Sequence, residues 1–304
     1  MESPVKVACV QAEPVIFERE ATIEKIARIS KEIAEEGASL AVFPETFIPV
    51  YPSSRWARFL AAGSGGKEVF GRLARESLEI PGPASERLGA IAREAGIWLA
   101  IGANELERGT IYNALLLYGP DGELALHHRK LMPTNHERLV WGLGGGEGLE
   151  AIPTPLGRIG GLICWENLMP LARFALYQDG VEIYLAPTAD DSEDWHGSIR
   201  HIARESRAFV VSPCVFQRAS SYPKDIRLSD GPELLGRGGS AIVGPDGEYL
   251  AGPLWDEEGI LYAELDPKRM YEERQRFDPA GHYNRPDVFQ LLVQPTSRAT
   301  PAPE

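Results

Sequence analysis

The chain has 304 residues, 43% of them hydrophobic and 25% charged, enough to bury a sizeable core and too ordinary in charge for wholesale disorder. A formal net charge of −13 argues against general affinity for nucleic acid or anionic membrane, and leaves room for a small ligand in a locally positive pocket. The opening MESPVKVACVQAEP carries no signal-peptide pattern, no apolar run approaches the roughly 18 residues of a membrane span, and three dispersed cysteines build neither a disulfide framework nor a zinc knuckle, so a reduced, cytoplasmic protein is expected.

In chain order, VKVACVQA (5–12) predicts a strand and ATIEKIARISKEIAEEG (21–37) a helix. In that helix Ile23, Ile26, Ala27, Ile29, Ile33 and Ala34 recur at three-and-four spacing as one buried stripe, and Gly37 supplies the stop. A second strand is expected over 39–46, a helix capped by Ser85 over 85–96, and a strand over 97–106. Residues 112–130 read as a hairpin turning at Pro120-Asp121-Gly122. Strand 158–166, a helix from Met169 to Gln178, strand 182–189, helix 198–209 and strand 209–216 follow, and a last hairpin spans 238–253. Residues 53–83 and 217–237 read as insertions or surface loops. Alternating helices and strands with no composition break predict one α/β domain over 1–289, with helices covering sheet faces and a short flexible tail at 290–304.

Three side chains stand where α/β folds build sites. Cys164 ends the apolar run IGGLIC just before a helix, which places a thiol on a strand-to-helix turn close to backbone N–H groups. Cys9 and Cys214 lie inside apolar strands and read as inert core, as most free cysteines are. Glu45 follows Val42-Phe43-Pro44 at a strand end, and Lys130 follows the hairpin strand ending His127-His128-Arg129. Each alone is more often structural, Glu45 and Lys130 as solvated strand ends and a cysteine as inert core; together they offer an acid/base, a cation and a thiol. The adjacent histidines invite a metal, but neighbours in a strand point to opposite faces, and no metal is expected.

Segments FPETFIPVYP (43–52), HRKLMPTNHERLVWGLGGG (128–146) and GGLICWENLMPLARFALY (160–177) resemble, in order and spacing, the three signature segments of the nitrilase superfamily. DPAGHYNRPDVF (278–289) and Cys-Trp-Glu-Asn at 164–167 are similar to the nitrilase branch in particular. The resemblance implies an α-β-β-α sandwich, paired through its covering helices into a four-layered αββα-αββα dimer core, with Glu45 as general base, Lys130 stabilising the tetrahedral intermediate, Cys164 as nucleophile and Glu137 positioning substrate or lysine. It implies a nitrile substrate and no cofactor; an amidase or carbamoylase of the same superfamily and a non-catalytic scaffold are the alternatives. The short tail implies a limited homo-oligomer rather than a filament. Tyr51, Trp56, Thr134, Trp141, Trp165 and Pro187 lie near the motifs and could line a mostly apolar pocket or pack as ordinary core.

Overall fold

The computed structural model describes residues 1–61, 65–226, 228 and 231–295, and it is a mixed α/β fold of two stacked sheets. The first sheet is ordered β13 (Gly259–Leu265), β1 (Val5–Gln11), β2 (Leu40–Val42), β3 (Trp98–Glu107), β4 (Thr110–Tyr118) and β5 (Leu124–Arg129). The second runs β10 (Phe216–Arg218), β11 (Leu234–Val243), β9 (Phe209–Ser212), β8 (Ile183–Leu185), β7 (Gly157–Gly161) and β6 (Ile152–Thr154), with β12 (Tyr249–Trp255) also paired to β11. In both sheets the central strands are parallel, β1-β2-β3 and β7-β8-β9, and antiparallel strands extend the edges.

Three apolar layers hold the fold together. On the outer face of the first sheet lie α1 (Arg19–Glu35) and α4 (Pro83–Ala95). Ile23, Ile26, Ile29 and Ile33 are buried there, as the stripe predicts, and each contributes about 1.5–3 kcal/mol relative to exposure. Between the sheets, Val7, Cys9, Val42 and Leu115 meet Ile159, Ile183, Leu185 and Val211. Outside the second sheet, α5 (Pro170–Gln178) and α6 (Glu193–Ser206) pack Leu176, Trp195, Ile199 and Ile202. The layering is therefore helix, sheet, sheet, helix, as expected.

Several boundaries differ from the sequence reading. Residues 53–83 are not a loop: they hold α2 (Ser54–Ala61) and α3 (Gly66–Glu76), whose Val69 and Leu73 are buried. Gly65 and Gly66 conceal the helical spacing, and Gly66 is required because a Cβ there would lie 2.5 Å from the Leu60 carbonyl oxygen. Gly82, not Ser85, flanks the start of α4; the Ser85 hydroxyl instead meets Tyr118 Oη at 2.8 Å. Helix α6 starts earlier, at Glu193, where the Ser192 side chain accepts from Trp195 N. The stretch 209–216 divides into the end-to-end pair β9 and β10 around Pro213. Edge strands β6 and β13 and the short helix α7 (Pro267–Arg274) were hidden by weak apolar content; β13 is mostly half-exposed. Segment 217–237 contributes parts of β10 and β11, with residues 227, 229 and 230 outside the described set. Of the tail, 290–295 carry no regular structure and 296–304 lie outside the described residues.

Candidate active site

Strand β2 is short because its job ends at Phe43, whose N–H still reaches Ala100 O at 2.9 Å. The chain then crosses the edge of β3 so closely that a Cβ on Gly102 would lie 2.2 Å from the Pro44 oxygen and 2.8 Å from Glu45 Cα. Only glycine permits that approach. Thr46 follows with φ 41°, and the bend drives the Glu45 side chain fully inside. Glu45 Oε1 accepts from Asn113 Nδ2 on β4 at 2.7 Å and from Lys130 Nζ at 2.8 Å. Oε2 is buried without a hydrogen-bond partner among the described residues.

Lys130 is the first residue past β5, kept in register by its N–H to Asn113 O at 2.7 Å. Its ammonium bridges Glu45 and Glu137, 2.7 Å from Glu137 Oε2, and lies 5.6 Å from the Trp141 ring centre. Glu137 sits in a 3₁₀ turn over Asn135–Leu139 and caps it by accepting from Thr134 N at 2.6 Å. Its other oxygen accepts from Tyr51 Oη at 2.8 Å.

Cys164 opens a second 3₁₀ turn, Cys164–Leu168, just beyond β7. It adopts φ 53°, a left-handed conformation that costs a non-glycine residue about 1–3 kcal/mol and marks a built position. The surroundings impose it. Cys164 N donates to Pro187 O at 2.8 Å, and the Asn167 amide donates to Leu162 O and Cys164 O at 2.9 and 2.8 Å. Asn167 is in turn fixed by Tyr184 Oη at 2.8 Å. The Thr188 hydroxyl points at the sulfur, 3.2 Å away.

The Cys164 sulfur and a carboxylate oxygen from each of Glu45 and Glu137 all lie within 4.8 Å of one another. A thiol and two carboxylates are plausible metal donors in kind, but here they already enclose a cation, the Lys130 ammonium. Burial pushes the Cys164 thiol well above its ordinary range; Glu45 and Glu137 push further, while Lys130 and Thr188 oppose. The resting sulfur is therefore protonated and needs a base. Burial raises the Glu45 carboxyl to about 7, against the pull of Lys130 and Asn113, so it exchanges a proton near neutrality. Burial alone would discharge Lys130, but the negative charges of Glu45 and Glu137 outweigh it and hold the ammonium charged.

Glu45, Lys130, Glu137 and Cys164 thus meet, although Glu45 and Lys130 leave one sheet and Cys164 the other. Tyr51 and Thr134 join them through Glu137, and Pro187 through its carbonyl. Trp165 is 48% exposed and turns outward to Asp190 Oδ2 at 2.7 Å, away from an apolar lining. Trp56 packs in a core with Phe17, and Trp141 is buried with its Nε1 on Asn104 Oδ1 at 2.7 Å. A crevice lined by Glu45 together with Phe47, Val215 and Phe216 is too narrow to admit a water molecule. His127 and His128 do face opposite ways, to Glu105 at 2.8 Å and to Glu166 at 3.2 Å. Cys9 and Cys214 are buried. Sequence reading missed Asn113, Asn167, Thr188 and Gly102; a polar residue interrupting the apolar run of β4 was the one available signal, at Asn113.

The chain belongs to the carbon-nitrogen hydrolase family, whose pattern matches residues 6–275. It is 45% identical over 295 residues to an aliphatic nitrilase of Sinorhizobium fredii (strain HH103), covering 95% of each chain. It is 40% identical over 310 residues to the bifunctional nitrilase/nitrile hydratase NIT4A of Lupinus angustifolius, covering 97% of this chain and 88% of that one. The crystal structure of Saccharomyces cerevisiae Nit3, a member of branch 10 of the nitrilase superfamily, superposes with a TM-score of 0.71 at 22% identity, over 93% of this chain and 97% of that one.

Proposed function

We propose that the protein is a nitrilase that hydrolyses a small nitrile to its carboxylic acid and ammonia. The observation that carries this reading is the buried quartet in which a protonated thiol, a carboxyl poised near 7 and a fixed ammonium lie within hydrogen-bonding reach of one small volume. Glu45 takes the Cys164 proton as the sulfur attacks the nitrile carbon, then passes it to the nitrile nitrogen, giving a thioimidate. Lys130 donates to the nitrogen as negative charge develops there, which is where electrostatic help lowers the barrier. Water, deprotonated by Glu45, adds to the same carbon; the nitrogen leaves as ammonia and a thioester remains. A second water releases the acid and returns the proton to sulfur. Glu137 and Tyr51 keep the ammonium aimed. Expulsion of sulfur instead of ammonia would release an amide, and the bifunctional Lupinus angustifolius relative supports some of that product here.

Ammonia release from matched nitriles and amides tests the reading, with intact-mass detection of a covalent adduct. Turnover of nitriles with an adduct absent in Cys164→Ala is expected; activity on amides alone would replace nitrilase by amidase. We read residues 1–289 as one catalytic unit, since both sheets supply the quartet. Exposed Leu168, Met169 and Leu171 at the start of α5 support pairing of two copies through the covering helices, to be checked by light scattering, where a monomer would refute it. Three unpaired cysteines support a reducing, cytoplasmic setting. Among the described residues no helix is long and apolar enough to cross a membrane.

A further inference from the structure

Two residues beyond the sulfur lies a carboxylate that the chemistry above does not use. Glu166 is completely buried, and its oxygens reach into both sheets. Oε2 accepts from Ile163 N at 2.7 Å, while Oε1 accepts from Leu131 N. His128 Nε2 faces both oxygens at 3.2 Å. Ile163 immediately precedes Cys164, and Leu131 immediately follows Lys130. Both lie past the last paired residues of their strands, Gly161 of β7 and Arg129 of β5.

We propose that Glu166 is a positioning residue that ties Lys130 to Cys164 across the two sheets. The reasoning begins with the residue type. A buried charge is costly and is kept only where its acceptors are filled. A carboxylate is acceptor at both ends, so it can take one backbone N–H from each strand end at once; a glutamine of the same length would turn an NH₂ group toward one of them. The side chain therefore fixes the spacing between the residue before the sulfur and the residue after the ammonium. That spacing decides how strongly the ammonium acts on sulfur and on the attacked nitrogen, and misplacement of about 1 Å costs roughly 100-fold in rate.

The inference rests on the hydrolase reading, so its test has one arm that needs no substrate. Glu166→Asp keeps the charge but is one methylene short of spanning both strand ends; Glu166→Gln keeps the length but loses one acceptor. The first arm measures kcat and KM on a nitrile, per active site counted by Cys164 adduct stoichiometry. The second follows the rate of alkylation of Cys164 by iodoacetamide at about pH 8, resolved by peptide mass spectrometry. We expect both variants to fold, with kcat down about 100-fold and KM within about threefold. In Glu166→Asp the alkylation rate falls about three- to tenfold, because the ammonium is no longer held against the sulfur and less thiolate is present. A lower melting temperature with unchanged per-site kcat and an unchanged alkylation rate would overturn the proposal. So would failure of both variants to fold, since Glu166 would then hold the fold and not the pair. If the parent enzyme turns over no nitrile, the nitrilase reading fails while the alkylation arm still decides the role of Glu166.

Discussion

Replacing Asn113 by leucine removes a single hydrogen bond from Glu45, the proposed base, and keeps the branched outline of the side chain with somewhat more bulk. Asn113 is buried on β4, and its Nδ2 donates to Glu45 Oε1 at 2.7 Å. Burial sets the Glu45 carboxyl at about 7, and the Asn113 bond is one of the forces pulling it down. That bond favours the anion, so its loss moves the carboxyl upward. A hydrogen bond to a charged acceptor contributes about 1.5–3 kcal/mol, and Lys130 still serves the same oxygen, so about 1.4 kcal/mol, or about one pH unit, is the expected change. The acid limb of kcat/KM then moves from about 7 toward about 8. At pH 7 the ionised fraction drops from about a half to about a tenth, a fivefold loss of activity that vanishes above roughly pH 9. The assay is ammonia release from a neutral nitrile across roughly pH 5.5 to 9.5, with the limb assigned to the coupled cluster as a whole. A limb that stays in place, or moves toward acid, would refute the assignment of Glu45 as the base.

Lys130→Met leaves two buried carboxylates facing each other without their cation. Unfolding free energy should fall by about 3–5 kcal/mol at pH 8 and by less at pH 5, where the carboxyls can protonate, and kcat should fall at least about 100-fold; urea titrations at both pH values and turnover check this. Gly102→Ala places a methyl 2.2 Å from Pro44 O, so a loss of about 1–3 kcal/mol is expected together with reduced kcat. Thermal unfolding and turnover on one preparation would show whether the two losses travel together.

How much of this was legible in the sequence differs from residue to residue. The α1 stripe and both hairpins were readable because apolar periodicity and turn residues are local signals, and the strand-end placement of Glu45, Lys130 and Cys164 followed from them. Their meeting was not local. It depends on the stacking of two sheets, and only the resemblance of ordered motifs anticipated it. Helices α2 and α3 were lost because glycines at 65 and 66 read as loop, where one of them in fact admits the Leu60 backbone. Trp165, beside the sulfur in sequence, faces outward because the left-handed Cys164 sends the next residue to the opposite side of the turn. Glu166 entered only as one letter of the Cys-Trp-Glu-Asn segment, and its contact with His128, 38 residues away, is not a local signal.

Because Glu45 and Lys130 are carried by one sheet and the Cys164 sulfur by the other, the proposed catalytic centre is a seam rather than a surface. The first half of the chain supplies Glu45, Lys130 and Glu137 without a sulfur, and the second half the sulfur without them. Turnover is then a direct gauge of whether the two layers are in contact: any slippage between them should extinguish activity while strands and helices remain intact to spectroscopy. A nascent chain, by the same logic, carries the thiol without its proposed base and cation until the final strands have closed the stack.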